Sequence, residues 1–218
     1  MEKQFAQWME EECSQIGVTL SEKQMEQFFQ YYEMLIQWNE VMNLTAITEM
    51  DQVVTKHFVD SMSLVKAVSE LGSKEIRIMD LGTGAGFPGI PLKIAFPNLK
   101  LTLLDSLNKR VNFLNEVIGT LGLEKVEAVH GRAEDFGRNP EYRGQFDLCV
   151  SRAVANLATL SEYCMPFVKV GGAFIPYKSG KVEEELNQAR GAVKLLGGKI
   201  ENVVSFELPK TRLLYTSD

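Results

Sequence analysis

The chain contains only two histidines and three cysteines. His57 and His130 lie far apart in sequence, and Cys13, Cys149 and Cys164 are odd in number and scattered, so spacing supports neither a metal-ligand cluster nor a disulfide framework. Reduced, buried thiols are expected. No apolar run approaches the length needed to cross a bilayer, and the opening residues MEKQF carry no basic segment followed by an apolar core. That pattern predicts a cytoplasmic protein that contacts no membrane. Internal repeats, low-complexity tracts and long flexible linkers are also absent. A global excess of positive charge is missing too, because the net charge is −6. Residues 1–70 hold 4 basic and 12 acidic side chains, whereas residues 71–218 hold 19 and 17. Any contact with nucleic acid must therefore be local.

What is present suits one α/β domain with a helical extension, since 218 residues at 45% hydrophobic content can bury a substantial core. The most informative stretch is Ile76–Ile90, IRIMDLGTGAGFPGI, in which an apolar alternating run ends in Asp80 and passes into a turn rich in glycine. It reads as strand, turn, helix. Gly82, Gly84 and Gly86 can adopt positive φ and carry no Cβ, so the backbone can turn sharply and a ligand can approach its amides. Pro88 suits the first turn of the helix that follows. A second strand-like run, Leu99–Leu104, ends in Asp105. That acid lies about 20 residues beyond the glycines, where a mononucleotide-binding βαβ unit places a ribose-binding carboxylate.

Upstream, Met25, Phe28, Phe29, Tyr32, Leu35 and Ile36 recur at the spacing of one helical face, with Ser21 and Gln24 as its capping box. A further helix is expected from about Gln52 to Val68, with His57, Asp60 and Ser61 on one face. Residues 1–70 thus form a helical extension packed on a domain spanning residues 71–218. Downstream the spacing predicts a helix over Lys109–Leu121 and strands over Val126–His130 and Phe146–Ser151. A helix over Leu157–Val168 and a strand over Gly172–Pro176 follow. This alternation predicts a doubly wound, mostly parallel sheet with ligands bound beyond its carboxyl ends. The glycine turn, Asp105, Ala133 with Glu134, and Ser151 with Arg152 all fall at such ends.

The motif DLGTGAGFPGIPL, followed by LLDSLNKRVNFL, RAEDF and SRAVA, resembles the class I S-adenosylmethionine-dependent methyltransferases. With the upstream WNEVMNLT and KHFVDS, the chain is more narrowly similar to the bacterial small-subunit rRNA guanine-N7 methyltransferases of the glucose-inhibited division protein B family. The match covers roughly residues 20 to 208. The resemblance implies a Rossmann-like fold, S-adenosylmethionine as cofactor, 16S rRNA or the small ribosomal subunit as partner, no metal, and a monomer. It places Gly82, Gly84 and Phe87 against the cofactor, Asp105 on the ribose hydroxyls, Ala133 and Glu134 beside the adenine, and Arg152 near the methionine end. Each role has a bland alternative: Asp105 can cap a helix, Glu134 can be solvated, and Arg152 can pair with a nearby acid. Gly89 is assigned to helix packing, and Lys109 and Arg110 to a solvated helix start.

Missing motifs narrow the reaction. Methylation of an exocyclic adenine amine usually calls for an acid or Asn followed by two prolines after the fourth strand, where this chain reads VSRAVA. Cytosine C5 methylation needs a thiolate, and Cys149 sits inside a strand, where burial explains it. Guanine N7 presents an unprotonated lone pair and needs neither a general base nor a covalent nucleophile, so no catalytic side chain is assigned. N7 lies on the edge that is inaccessible in A-form RNA, so the target belongs in a loop or splayed from its stack. Trp38, Asn39, Asn43, His57 and Lys178 are the candidate RNA contacts. Packing of Trp38, capping or turn roles for Asn39 and Asn43, and a helix-bridging bond of His57 are the alternatives. After Leu208 the residues PKTRLLYTSD depart from the family, so the final strand is expected to be shortened or replaced. Methylation of a small molecule or protein, nicotinamide-dependent redox chemistry, and cofactor binding without turnover remain competing readings.

Overall fold

The computed structural model describes residues 1–152, 155–180 and 182–208, together with the backbone of 214–215. Two helices come first, α1 (Lys3–Gln15) and α2 (Glu22–Met42). A mixed helical run follows, consisting of α3 (Met50–Val53), a π-helical turn (Val54–Val59), α4 (Asp60–Met62) and a 3-10 turn (Ser63–Lys66). Strands and helices then alternate: β1 (Arg77–Leu81), α5 (Gly89–Ala95), β2 (Lys100–Asp105), α6 (Asn108–Leu121) and β3 (Val126–His130). The alternation continues through α7 (Ala133–Phe136), β4 (Phe146–Arg152), α8 (Leu157–Cys164), β5 (Val168–Tyr177) and α9 (Val182–Leu195). Among the described residues no helix is long and apolar enough to cross a membrane.

Strands β1 to β5 form one parallel sheet in the order β3-β2-β1-β4-β5. The chain reverses its direction of winding at β1, so the carboxyl ends of β1, β2 and β4 border the crevice typical of doubly wound sheets. The expected α/β class is therefore observed. Strand alternation sorts the core. Ile78, Leu101, Leu103, Leu148 and Val150 join the cluster that contains Phe28, Tyr31 and Phe58, while Met79, Leu81, Leu104 and Cys149 join Leu160, Cys164 and Phe167 on the other face. Burying each such aliphatic side chain contributes roughly 1.5–3 kcal/mol before chain entropy is counted.

Several boundaries differ from those read in sequence. The helix beginning at Leu157 ends at Cys164, and a 3-10 turn over Met165–Phe167 contains Pro166, which lacks the N–H that an α-helix needs. Strand β5 consequently starts at Val168 rather than Gly172. The helix expected from Gln52 is divided by its π turn. The short strands β6 (Phe206–Glu207) and β7 (Leu214–Tyr215) pair antiparallel with each other, apart from the main sheet. The rest of the atypical ending, residues 209–213 and 216–218, lies outside the described residues.

Helix α2 is fastened to the sheet layer by side-chain amides as well as by its apolar stripe. The capping box forms as expected: the Gln24 N–H donates to Ser21 Oγ at 3.3 Å, and Gln24 Oε1 accepts from the Ser21 N–H at 2.8 Å. The same Gln24 donates through Nε2 to the carbonyls of Ile94 (2.8 Å) and Ala95 (2.9 Å), and Gln27 Nε2 donates to the Leu121 carbonyl at 2.7 Å. Closing carbonyls of α5 and α6, which have no donor within their own helices, are thus satisfied by α2. Replacing Gln24 with Ala removes the cap and leaves two partly buried carbonyls without this donor, which should cost roughly 1–3 kcal/mol in urea unfolding. An unchanged midpoint would contradict this account of how α2 is anchored.

Candidate active site

Between β1 and α5 the backbone makes a tight turn, with φ of +69° at Gly82, +62° at Gly84 and +100° at Gly86. Two of these glycines are required for different reasons. A Cβ on Gly86 would lie 2.6 Å from Ile90 Cγ1 and 2.8 Å from the Tyr31 hydroxyl, whereas a Cβ on Gly84 would meet nothing within 4 Å. Gly86 is pressed into the core and Gly84 faces open space. Most turn amides are already engaged: Gly82 N–H donates to the Leu104 carbonyl at 2.8 Å, and Gly86 and Phe87 N–H both donate to the Thr83 carbonyl at 2.9 Å. The Gly84 N–H donates to Asp105 Oδ2 at 2.9 Å, joining the turn to the end of β2.

Asp80 closes the turn from beneath. It is fully buried, and its Oδ2 accepts from Thr83 Oγ1 at 2.6 Å and from the Gly89 N–H at 2.8 Å. Among the described residues its Oδ1 has no hydrogen-bond partner. Burial pushes this carboxyl up to about 7, opposed by the Thr83 and Gly89 hydrogen bonds. Gly89 is assigned to packing by sequence, and a Cβ there would stand 2.7 Å from Asp80 Oδ2. Asp105 is also buried, with Oδ1 accepting from the Leu107 N–H at 2.9 Å. Arg110, part-exposed at the start of α6, approaches Asp105 Oδ2 at 3.5 Å. The Gly131 N–H donates to the Asp105 carbonyl at 3.0 Å, bringing the exit of β3 beside the end of β2. Half-buried Ala133 and exposed Glu134 follow from that exit.

At the end of β4, Arg152 reaches across to the N-terminal helices. Its Nη1 donates to Asp60 Oδ2 at 2.6 Å and to the Lys56 carbonyl at 3.0 Å, while Nη2 lies 3.1 Å from His57 Nδ1. Its guanidinium carbon stands 5.0 Å from the centre of the Phe87 ring. The His57 ring stacks on the same Phe87 at 4.4 Å with an interplanar angle of 21°. Burial first, and then the Arg152 charge, lower the His57 pKa to about 3, so its ring is neutral at physiological pH. Four strand ends and the mixed helix therefore meet at Phe87 and Asp105.

The candidate RNA contacts are mostly occupied within the fold. Trp38 packs on Phe113 at 5.6 Å and donates to Glu116 Oε1 at 3.2 Å. Asn39 Oδ1 accepts from the Thr45 N–H at 2.8 Å, and Asn43 caps α2 in the left-handed region at φ +48°. The buried His57 bonds Thr45 Oγ1 through Nε2 at 2.8 Å. Lys178 donates to the Ala155 carbonyl at 2.5 Å and pairs with Glu185 at 2.8 Å, which keeps its side chain largely covered. Sequence reading overlooked Tyr31, Thr45, Asp60 and Arg110 as parts of this region. Only Asp60 carried a spacing signal, through its i,i+3 relation to His57.

The family model described as rRNA small subunit methyltransferase G matches residues 24–214. A protein of that name from Lachnoclostridium phytofermentans is 57% identical over 90% of this chain and 80% of its own length. Another, from Staphylococcus saprophyticus, is 52% identical over 93% and 84%. Among solved structures, the YcgJ protein of Bacillus subtilis aligns with a TM-score of 0.53 at 16% identity, covering 67% of this chain and 71% of its own. TYW2 of Pyrococcus horikoshii, solved in complex with MeSAdo, aligns at 0.55 and 14%, covering 68% and 59%. These two share the fold.

The Asp80 environment has a consequence for stability. The unfolded carboxyl ionises near 3.8 and the folded one near 7, so between those values the folded protein retains a proton that the unfolded chain has released. This contribution is therefore present at low pH and is lost as pH rises from about 4 to about 7. Urea unfolding of the parent and of Asp80→Asn across that range should show the parent's relative stability falling with pH. A constant difference would contradict the assignment.

Proposed function

Because the chain belongs to the rRNA small subunit methyltransferase G family, we propose that it transfers a methyl group from S-adenosylmethionine to N7 of a loop guanine in 16S rRNA. The observation that carries this reading is the junction of Gly84 with Asp105, at which the glycine turn meets the end of the neighbouring strand. The residues present suit the cofactor. A carboxylate has about four acceptor sites, of which Gly84, Leu107 and Arg110 engage three on Asp105; the open site on Oδ1 can receive one ribose hydroxyl, and its vicinal neighbour can take the place of the long 3.5 Å Arg110 contact on Oδ2. Open space in front of Gly84 admits the ligand, and Gly82 and Phe87 complete the turn that borders it. The buried Asp80 Oδ1, which has no hydrogen-bond partner among the described residues, offers a further polar atom beneath the turn. Ala133 and Glu134 flank the adenine, and Arg152 serves the carboxylate end through the guanidinium donors not used by Asp60, Lys56 and His57.

S-adenosylmethionine, when bound, supplies a sulfonium methyl that the N7 lone pair can attack in line without a general base. The side chains at the crevice accord with that requirement. His57 is the nearest candidate base, yet both ring nitrogens are engaged inside the fold. Catalysis then rests on holding the guanine in line, an effect that can lower a barrier by roughly 7–11 kcal/mol. Such an enzyme acts on the ribosomal RNA of the bacterial cytoplasm.

Methyl-labelled S-adenosylmethionine incubated with unmethylated small subunits, followed by N7-specific strand scission, should reveal one labelled loop guanine. Label on a different atom, or none despite measurable cofactor binding, would overturn the reading. Asp105→Ala should weaken S-adenosylmethionine binding by at least about tenfold in calorimetry, as expected for loss of a charged acceptor from two hydroxyls. Unaltered affinity would remove Asp105 from the ribose site.

A further inference from the structure

The mechanism above leaves one well-formed feature unused: a polar chain that runs from Thr45 through His57 to Arg152, beside the aromatic ring of the glycine turn. Thr45 Oγ1 accepts from the Ile47 N–H at 3.0 Å and meets His57 Nε2 at 2.8 Å. The other nitrogen, Nδ1, lies 3.1 Å from Arg152 Nη2. An arginine only donates, so a hydrogen bond there requires Nδ1 to accept and places the ring proton on Nε2, pointing at Thr45. The Lys56 carbonyl, 3.1 Å from the same Nδ1, is instead served by Arg152 Nη1. The ring is 8% exposed and held in one tautomer by partners at both ends, with its face on Phe87.

The geometry of this bridge carries a consequence for Arg152. Three of its five N–H groups are directed to Asp60, Lys56 and His57, which fixes the plane of the guanidinium against Phe87 and orients the two that remain. The π-helical turn over Val54–Val59 brings Lys56, His57 and Asp60 to one guanidinium. Such turns widen a helix by one residue and recur at functional sites. We propose that His57 is a positioning residue for the cofactor site: its Nδ1 sets the orientation of Arg152 and its ring sets the plane of Phe87. It contacts neither RNA phosphate nor the reacting atoms. This inference rests on the cofactor reading above but not on the identity of the methyl acceptor.

The test compares three substitutions. His57→Asn keeps an acceptor near the position of Nδ1, His57→Phe keeps only the ring on Phe87, and Thr45→Val removes the partner that holds the tautomer. Calorimetric Kd for S-adenosylmethionine, KM and kcat for methyl transfer, and urea unfolding would be measured for each. His57→Phe should raise Kd and KM for the cofactor about tenfold while kcat stays within about twofold, the signature of lost ground-state positioning. His57→Asn should recover most of that loss, and Thr45→Val should fall between Phe and the parent. Histidine-selective ¹⁵N labelling gives only two imidazoles to assign, and His57 should report a neutral Nε2–H ring. Equal cofactor affinity in all variants would overturn the proposal. So would parallel losses of stability, KM and kcat in which Asn is no better than Phe, because that pattern belongs to a purely structural residue. Calorimetry needs no acceptor, so a parent that binds cofactor but fails to methylate RNA would refute the acceptor while leaving this test decisive.

Discussion

The Tyr31 hydroxyl donates to the Ala85 carbonyl at 2.5 Å, and the arrangement of the crevice depends on that contact. Tyr31 is fully buried in α2, and Ala85 lies at the apex of the glycine turn, so a helix distant in sequence holds the loop that meets Asp105. The tyrosine also stacks with Phe58 at 5.5 Å and packs on Phe87 at 5.6 Å. A Cβ on Gly86 would crowd this hydroxyl at 2.8 Å as well as Ile90 at 2.6 Å, so glycine suits the position. The N-terminal helices are thus one wall of the glycine turn, and the apolar cluster that includes Phe28, Phe58, Ile78 and Leu103 runs without interruption from them into the sheet.

Charge follows the same design. Asp80, Asp60 and Arg152 are brought close to the turn in a region of low exposure, where a lone ion is costly and an engaged one is held in place. Arg152 joins β4 to the π turn, while His57 stays neutral between it and Thr45. The result is a rigid cradle in which side chains orient one another rather than exchange protons. This suits a reaction whose nucleophile arrives already deprotonated.

Much of this was legible in sequence because strand period, glycine conformation and the distance from the turn to Asp105 are local properties. The parallel sheet, the capping box at Ser21 and the convergence of four strand ends followed from them. Packing of Trp38, one of the two readings its sequence left open, is observed on Phe113, whereas the occupied state of Lys178 was not legible, because pairing with Glu185 is decided by tertiary neighbours that no local pattern reveals. The π turn was also invisible: its sequence, VTKHFV, carries ordinary helical spacing, and one inserted residue alters which side chains share a face. Helix α1 was missed although Phe5, Met9 and Cys13 recur every four residues, since that stripe is short and set among charged neighbours.

The claim that the N-terminal layer shapes the cofactor turn is tested most directly by calorimetric binding of S-adenosylmethionine to Tyr31→Phe. The ring and its packing remain, and only the donor to Ala85 is removed. The account predicts a weaker Kd by about tenfold, equivalent to roughly 1.4 kcal/mol, in a protein that still unfolds cooperatively. Parent-like affinity would contradict it, because the turn would then keep its shape without the helix that holds it.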